Sequence, residues 1–239
     1  MSKTTIPTGG ITDDAISDEH LDVTTVTGQT AITSLADTDK FLVSDASDSG
    51  NLKYVEKQYL GGGGLVFIND VSSTSEVTNL VLDNVFTSTY ANYLIIGEYT
   101  LINGSGPSAR FKFRTGGSSG SDLSSSEYNY HFIRANSDGD SLSAIRATGG
   151  DYGVFTGGTN NDPERVGVRI TWTLYNPFHS GRRTTLSGHG KFTQTDGNSA
   201  VTVGSCDYKA TTSCTGIKFY ASTGNVSSGH FKCYGIVDS

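Results

Sequence analysis

Between Val166 and Leu174 every second residue is large and apolar: Val166, Val168, Ile170, Trp172 and Leu174 alternate with Gly167, Arg169, Thr171 and Thr173. A period of two is the repeat of a β-strand, whose side chains point alternately to two faces. The stretch therefore predicts a strand with one face in a core and the other toward water. The same reading applies to Arg110–Arg114, where Phe111 and Phe113 share one face and the three cations the other. It applies again to Tyr128, Tyr130 and Phe132, which share a face. Tyr93–Ile102 begins apolar on both faces, as a central strand would. Further strands are predicted at Leu65–Ile68, Thr184–Thr193, Ala200–Lys209, Gly216–Ala221 and His230–Val237, with loops at Gly116–Ser126, Asn136–Asp140 and Gly157–Asp162. Thirty glycines, 12 tyrosines and 11 phenylalanines beside a single methionine fit strands and turns rather than helices. About eight to ten short strands with such turns predict an all-β chain, with an antiparallel β-sandwich of jelly-roll type over residues 65–239.

The front of the chain reads differently. Residues 1–35 are polar and hold no period for long, which predicts an extended arm ordered by whatever binds it. Ile11, Ile16 and Leu21 are isolated apolar residues there, suited to a partner's groove. Residues 36–60 predict a small hairpin unit: Lys40–Ser44 and Asn51–Glu56 as strands, joined by an Asp/Ser/Gly turn over Asp45–Gly50. Phe41, Val43, Leu52 and Tyr54 are its candidate contact residues, because a lone hairpin is marginal in water and needs neighbours. Lys57–Leu60 reads as the start of a short helix, and Gly61–Gly64 as a flexible linker to the larger domain.

Charge and cysteine usage exclude several function classes. The formal charge is −7, and ten acids against four lysines lie within residues 1–60, while all eight arginines lie beyond them. An acidic chain without a basic run is a poor nucleic-acid binder. Met1–Ile6 has no apolar signal region, and the longest apolar stretch, Tyr93–Ile96, is far short of the ~20 residues of a membrane span. Cys206, Cys214 and Cys233 form no C-x-x-C pair, and an odd number argues against a disulfide framework; they read as free thiols of a reducing cytoplasm. The five histidines do not cluster with them, so neither a metal nor another cofactor is expected.

Several chemical motifs lack the context their chemistry requires. Gly116–Gly120 fits G-x-S-x-G, but no helical period follows the serine. Asn136–Asp140 offers oxygens for Ca²⁺, yet the twelfth position of a regular calcium loop would be Ala147 rather than Glu. His179 and His189 flank Ser180–Arg183, where Arg182 and Arg183 could bind carboxylates on a sugar or a neighbouring subunit. The acids Asp138, Asp140, Asp151, Asp162 and Glu164 fall in turn-like sequence without the pairing a glycosidase needs. The chain therefore reads as no enzyme. Trp172 reads as core before sugar platform. Tyr128 and Tyr130 stay open between core packing and glycan contact.

Three stretches together resemble small tail-fibre and virion structural proteins of marine and cyanobacterial phages. They are Leu35–Ala46 with Leu52–Val55 and Tyr59–Leu60, Tyr93–Thr115 with Tyr128–Tyr130, and Gly229–Ile236, which ends in Tyr-Gly-Ile. The resemblance implies a homotrimer, made in the host bacterial cytoplasm and attached to the virion through residues 1–60. It places Ile11, Ile16, Leu21, Phe41, Val43, Leu52 and Tyr54 against another virion protein of the tail or capsid. The outer domain would adsorb to the host surface, with Tyr128, Tyr130, Arg182 and Arg183 as candidate receptor contacts and a surface glycan as ligand. No nucleic acid or membrane partner is implied. The absence of a long shaft leaves a capsid decoration or head-fibre protein as the alternative.

Overall fold

The computed structural model describes residues 35–36, 38–57, 64–102, 106–137, 142–156, 167–194 and 196–237, together with residues 28, 30 and 139. The chain divides into two compact units, Met1–Gly62 and Gly63–Ser239.

In the first unit, β1 (Lys40–Asp45) pairs antiparallel with β2 (Asn51–Glu56). The turn between them is a single 3₁₀ turn over Ala46–Asp48. The Asp45 side chain caps it by accepting from the Ser47 N–H at 2.9 Å. Ser49 and Gly50 then take left-handed conformations, with φ of 56° and 82°, which reverses the chain. Ile11, Ile16 and Leu21 lie outside the described residues, as do residues 58–60 of the expected helix start.

The second unit is an all-β sandwich in which every strand pairing is antiparallel. One sheet has eight strands in the order β3 (Leu65–Ser73), β15 (Asn225–Ile236), β5 (Asn92–Ile102), β11 (Val168–Tyr175), β12 (Thr184–Thr193), β13 (Ser199–Tyr208), β8 (Tyr128–Asn136) and β9 (Leu142–Gly150). The other runs β10 (Gly153–Val154), β6 (Ala109–Thr115), β14 (Gly216–Ala221) and β4 (Asn79–Leu82), with β7 (Ser121–Asp122) beside β6. The order β3-β15-β5-β11 against β4-β14-β6-β10 is the strand arrangement of a jelly roll. The pair β12–β13 and the hairpin β8–β9 extend its first sheet.

Aromatic rings from both inner faces fill the space between the sheets. Trp172 is fully buried. Its ring lies 5.1 Å from that of Phe111 and 6.0 Å from that of Phe219 across the layer, with Phe155 edge-on at 4.4 Å. Phe219 stacks on Phe231 at 3.9 Å, and Phe113 on Tyr128 at 6.0 Å. Each such side chain contributes roughly 1.5–3 kcal/mol through burial. Glycines make room for the largest ones. Along one rung Trp172 faces Gly188, then Gly204, then Phe132. A Cβ on Gly188 would come within 2.8 Å of the Trp172 ring and 2.2 Å of the Thr171 carbonyl.

The strand β5 lies between β15 and β11, the central place its pattern predicted, and its outer face is half-buried with Ile96 42% exposed. Two expectations need correction. The strands β4 and β9 were not expected. The Gly116–Ser126 loop contains a 3₁₀ turn and the short strand β7. Val166 and the Gly157–Asp162 loop lie outside the described residues.

Candidate functional site

At one end of the sandwich two connections meet, β4–β5 (83–91) and β11–β12 (176–183). The backbone joins them through Asn176 N–H to the Ala91 carbonyl at 2.9 Å. Asn176 is left-handed at φ 54°, a conformation its short polar side chain tolerates. The first connection is pinned by Tyr93, whose hydroxyl accepts from the Thr87 N–H at 2.8 Å and donates to the Thr87 carbonyl at 3.0 Å. The ring of Tyr90 lies flat on Gly235 of β15, where a Cβ would come within 2.4 Å of it.

The two connections enclose a cleft of about 410 Å³. Tyr90 and Phe178 form its apolar wall, and Thr87, Ser88, Thr89, Asn176, His179 and Ser180 its polar rim. The His179 Nδ1 accepts from the Gly181 N–H at 2.9 Å, which in the neutral ring puts the proton on Nε2 and makes that nitrogen a donor. Arg182 and Arg183 follow on the same connection, both exposed. No carboxylate lines the cleft, so the acid–base pair of a glycosidase is not present in its lining. An aromatic wall with hydroxyl, amide and imidazole groups is suited to holding a sugar.

The tyrosines expected at the receptor site are elsewhere. Tyr128 is fully buried; its hydroxyl donates to the Leu123 carbonyl at 2.9 Å and accepts from the Phe113 N–H at 2.8 Å. Tyr130 is 9% exposed. Both point inward with Phe132, so neither can serve as a receptor contact. Tyr90 and Phe178, which the sequence reading did not single out, are half-buried and supply the aromatic wall instead.

On the hairpin the expected contact residues divide between two faces. Phe41 and Val43 are half-buried on one. Leu52 and Tyr54 lie on the other, 70% and 59% exposed, together with Leu42, which the sequence reading missed and which is 73% exposed. Leu42 stands opposite Tyr54 in the register, and Lys40 places its ammonium 4.3 Å from the Tyr54 ring.

The remaining motifs resolve into structure. Gly116–Gly120 is a tight turn followed by β7 rather than a helix. His179 and His189 line different pockets. Asp138, Asp140, Asp162 and Glu164 lie outside the described residues, and Asp151 accepts from Ser126. Among the described residues no three His, Cys, Asp or Glu are grouped to hold a metal. Nor is any helix there long and apolar enough to cross a membrane.

Cys206, Cys214 and Cys233 are free and buried. Burial pushes the Cys214 thiol up to about 11 and that of Cys233 up to about 12, and raises Cys206 as well. Thiolate is the reactive species, so the native protein is expected to leave an aromatic disulfide reagent unreacted and to titrate three thiols only in denaturant. Rapid native labelling would contradict this burial. Compared with known proteins, the chain matches no family model, no curated protein and no solved structure.

Proposed function

We propose that the protein is a structural component of a phage virion, attached by its N-terminal unit and displaying the jelly roll for adsorption to a host-surface glycan. The observation that carries the reading is the exposed apolar face of the hairpin, Leu42, Leu52 and Tyr54. A two-stranded hairpin cannot sustain such a face alone and needs a partner surface. The jelly roll, by contrast, has a complete core and an open cleft without carboxylates. That division suits an attachment unit joined to a non-enzymatic binding domain. The resemblance of Leu35–Ala46, Tyr93–Thr115 and Gly229–Ile236 to phage fibre sequences points the same way.

A homotrimer belongs to the same proposal. The outer-face rungs Val203–Ile133 and Val201–Ala135–Leu142 support self-association, with Val203, Ile133, Val201 and Leu142 all between 47% and 69% exposed. Copies would multiply weak contacts at each cleft into useful avidity.

Two variants of the full chain test the reading in virions. Leu42→Asp with Tyr54→Asp should leave the β-sheet circular dichroism intact but remove the protein from purified particles. Incorporation at wild-type level would sink the attachment role. Tyr90→Ala should incorporate normally and reduce adsorption to host cells. Normal adsorption by particles lacking the protein, combined with breakage at lower temperature, would replace the adsorption role by capsid decoration.

A further inference from the structure

On the outer face of the eight-stranded sheet, away from the cleft connections in sequence and register, basic side chains converge on two adjacent rungs. The first rung runs His230 (β15), Glu98 (β5), Arg169 (β11), Lys191 (β12). The second runs Lys232, Ile96, Thr171, His189 on the same four strands. All of these side chains point outward, and all but Lys232 line a shallow groove of about 360 Å³ whose floor includes Ile96 and Thr171.

The one carboxylate of the groove, Glu98, is engaged by Arg169 Nε at 2.6 Å. Lys191 stands directly opposite Arg169. Like charges directly opposite across antiparallel strands destabilise a sheet. Among the described residues neither Lys191 nor Lys232 has an ion pair, although Asp70 stands opposite Lys232 on β3. A net-acidic chain of −7 thus gathers three permanent cations, Arg169, Lys191 and Lys232, against the two carboxylates Glu98 and Asp70 on one face.

We propose that this groove binds an anionic polysaccharide strand through its carboxylate or sulfate groups. From β15 to β12 the strip spans three strand spacings, about 14 Å, enough for more than one sugar unit. Arg169 supplies a planar fork for an oxyanion and Lys191 a point charge. No Phe, Tyr or Trp lines the groove, so the stacking platforms on which single-stranded nucleic acid relies are missing. The site is independent of the cleft and of the role proposed for it.

The test is binding of the full chain to dextran sulfate, with unmodified dextran as neutral control and polygalacturonate in parallel to tell a carboxylate strand from a sulfated one. Dextran sulfate or polygalacturonate should bind, with affinity falling steeply as salt rises, and dextran should not. Arg169→Ala with Lys191→Ala should weaken binding by about tenfold or more, because charge-assisted contacts are lost. Glu98→Gln should tighten it, because Arg169 is freed of its competing carboxylate; a merely structural Glu98 would not do so. No binding to either anionic polymer, binding indifferent to the Arg169 and Lys191 substitutions, or binding weakened by Glu98→Gln would overturn the proposal.

Discussion

Replacing Trp172 by alanine is expected to remove about 3–5 kcal/mol from the stability of the larger unit, the cost of deleting a buried aromatic and leaving a cavity. Domains have roughly 5–15 kcal/mol in all, so the variant should stand at the edge of unfolding. The size of the effect follows from position. Trp172 sits on a central strand, fully buried, with rings of Phe111 and Phe219 from the opposite sheet and Phe155 at its edge. The glycine beside it, Gly188, cannot move a side chain into the hole. Trp172→Phe should cost far less. The indole Nε1 finds no hydrogen-bond partner among the described residues, so no donor–acceptor pair is broken by its loss. Gly188→Val should approach the alanine variant in severity from the opposite direction, by overpacking against Thr171 and Trp172. Urea unfolding followed by far-ultraviolet circular dichroism measures all three. A Trp172→Ala midpoint equal to wild type would contradict the central position of the indole.

Trp172 also shows how far sequence alone could reach. Its alternating neighbours disclosed a strand and its inner face, because parity is a local property. The same parity placed Tyr128 beside Phe132. It could not decide between core and sugar contact, because the groups that satisfy the Tyr128 hydroxyl come from Phe113 and Leu123, outside the strand. The strand β9 was illegible for a related reason. Its inward residues Ser143, Ile145 and Ala147 are mostly small, and its pairing with β8, not its own pattern, makes it a strand. The sequence pattern gave no role to Gly188, whose missing side chain leaves room for the Trp172 ring. The cleft was hidden most completely. Tyr90 and Phe178 lie far apart in the chain, and the pairing of β5 with β11, continued by the Asn176–Ala91 backbone contact, brings their connections together. On the hairpin, the pattern revealed the strands but not which face lacked cover, since both faces carry apolar residues.

Arg114→Met should cost about 2–4 kcal/mol at neutral pH, and this loss should shrink in acid. Arg114 lies on the outer face of β6 as the hub of a partly buried charge cluster. Its guanidinium reaches Asp83 at 2.7 Å, Asp122 at 2.5 Å and the Gly120 carbonyl at 2.6 Å, and Lys218 of β14 also binds Asp122. Removing one member of a buried pair leaves the other charge uncompensated, which costs about 3–5 kcal/mol in a fully enclosed site. Here the four side chains retain 14–25% of their surface, so the lower part of that range applies, with further solvent screening. Methionine keeps much of the aliphatic bulk, which isolates the charge effect. Burial alone would raise the Asp122 carboxyl, but the Lys218 and Arg114 cations outweigh it and hold the group below its ordinary value. A carboxylate depressed in the folded state stabilises the protein above its unfolded pKa, and that contribution disappears as pH falls through the folded one. Wild-type stability should therefore drop below about pH 4, where the unfolded carboxylate begins to take up protons. The gap between wild type and Arg114→Met should narrow over the same interval, because a protonated Asp122 no longer needs the guanidinium. Asp122→Asn should flatten part of this acid dependence while preserving the 116–122 turn less firmly than wild type, since Gly120 remains bound to Arg114 but Lys218 loses its partner. Urea midpoints at pH 7 and at pH 2 decide the matter. An Arg114→Met deficit of the same size at both would show that the cluster acts through packing and not through charge.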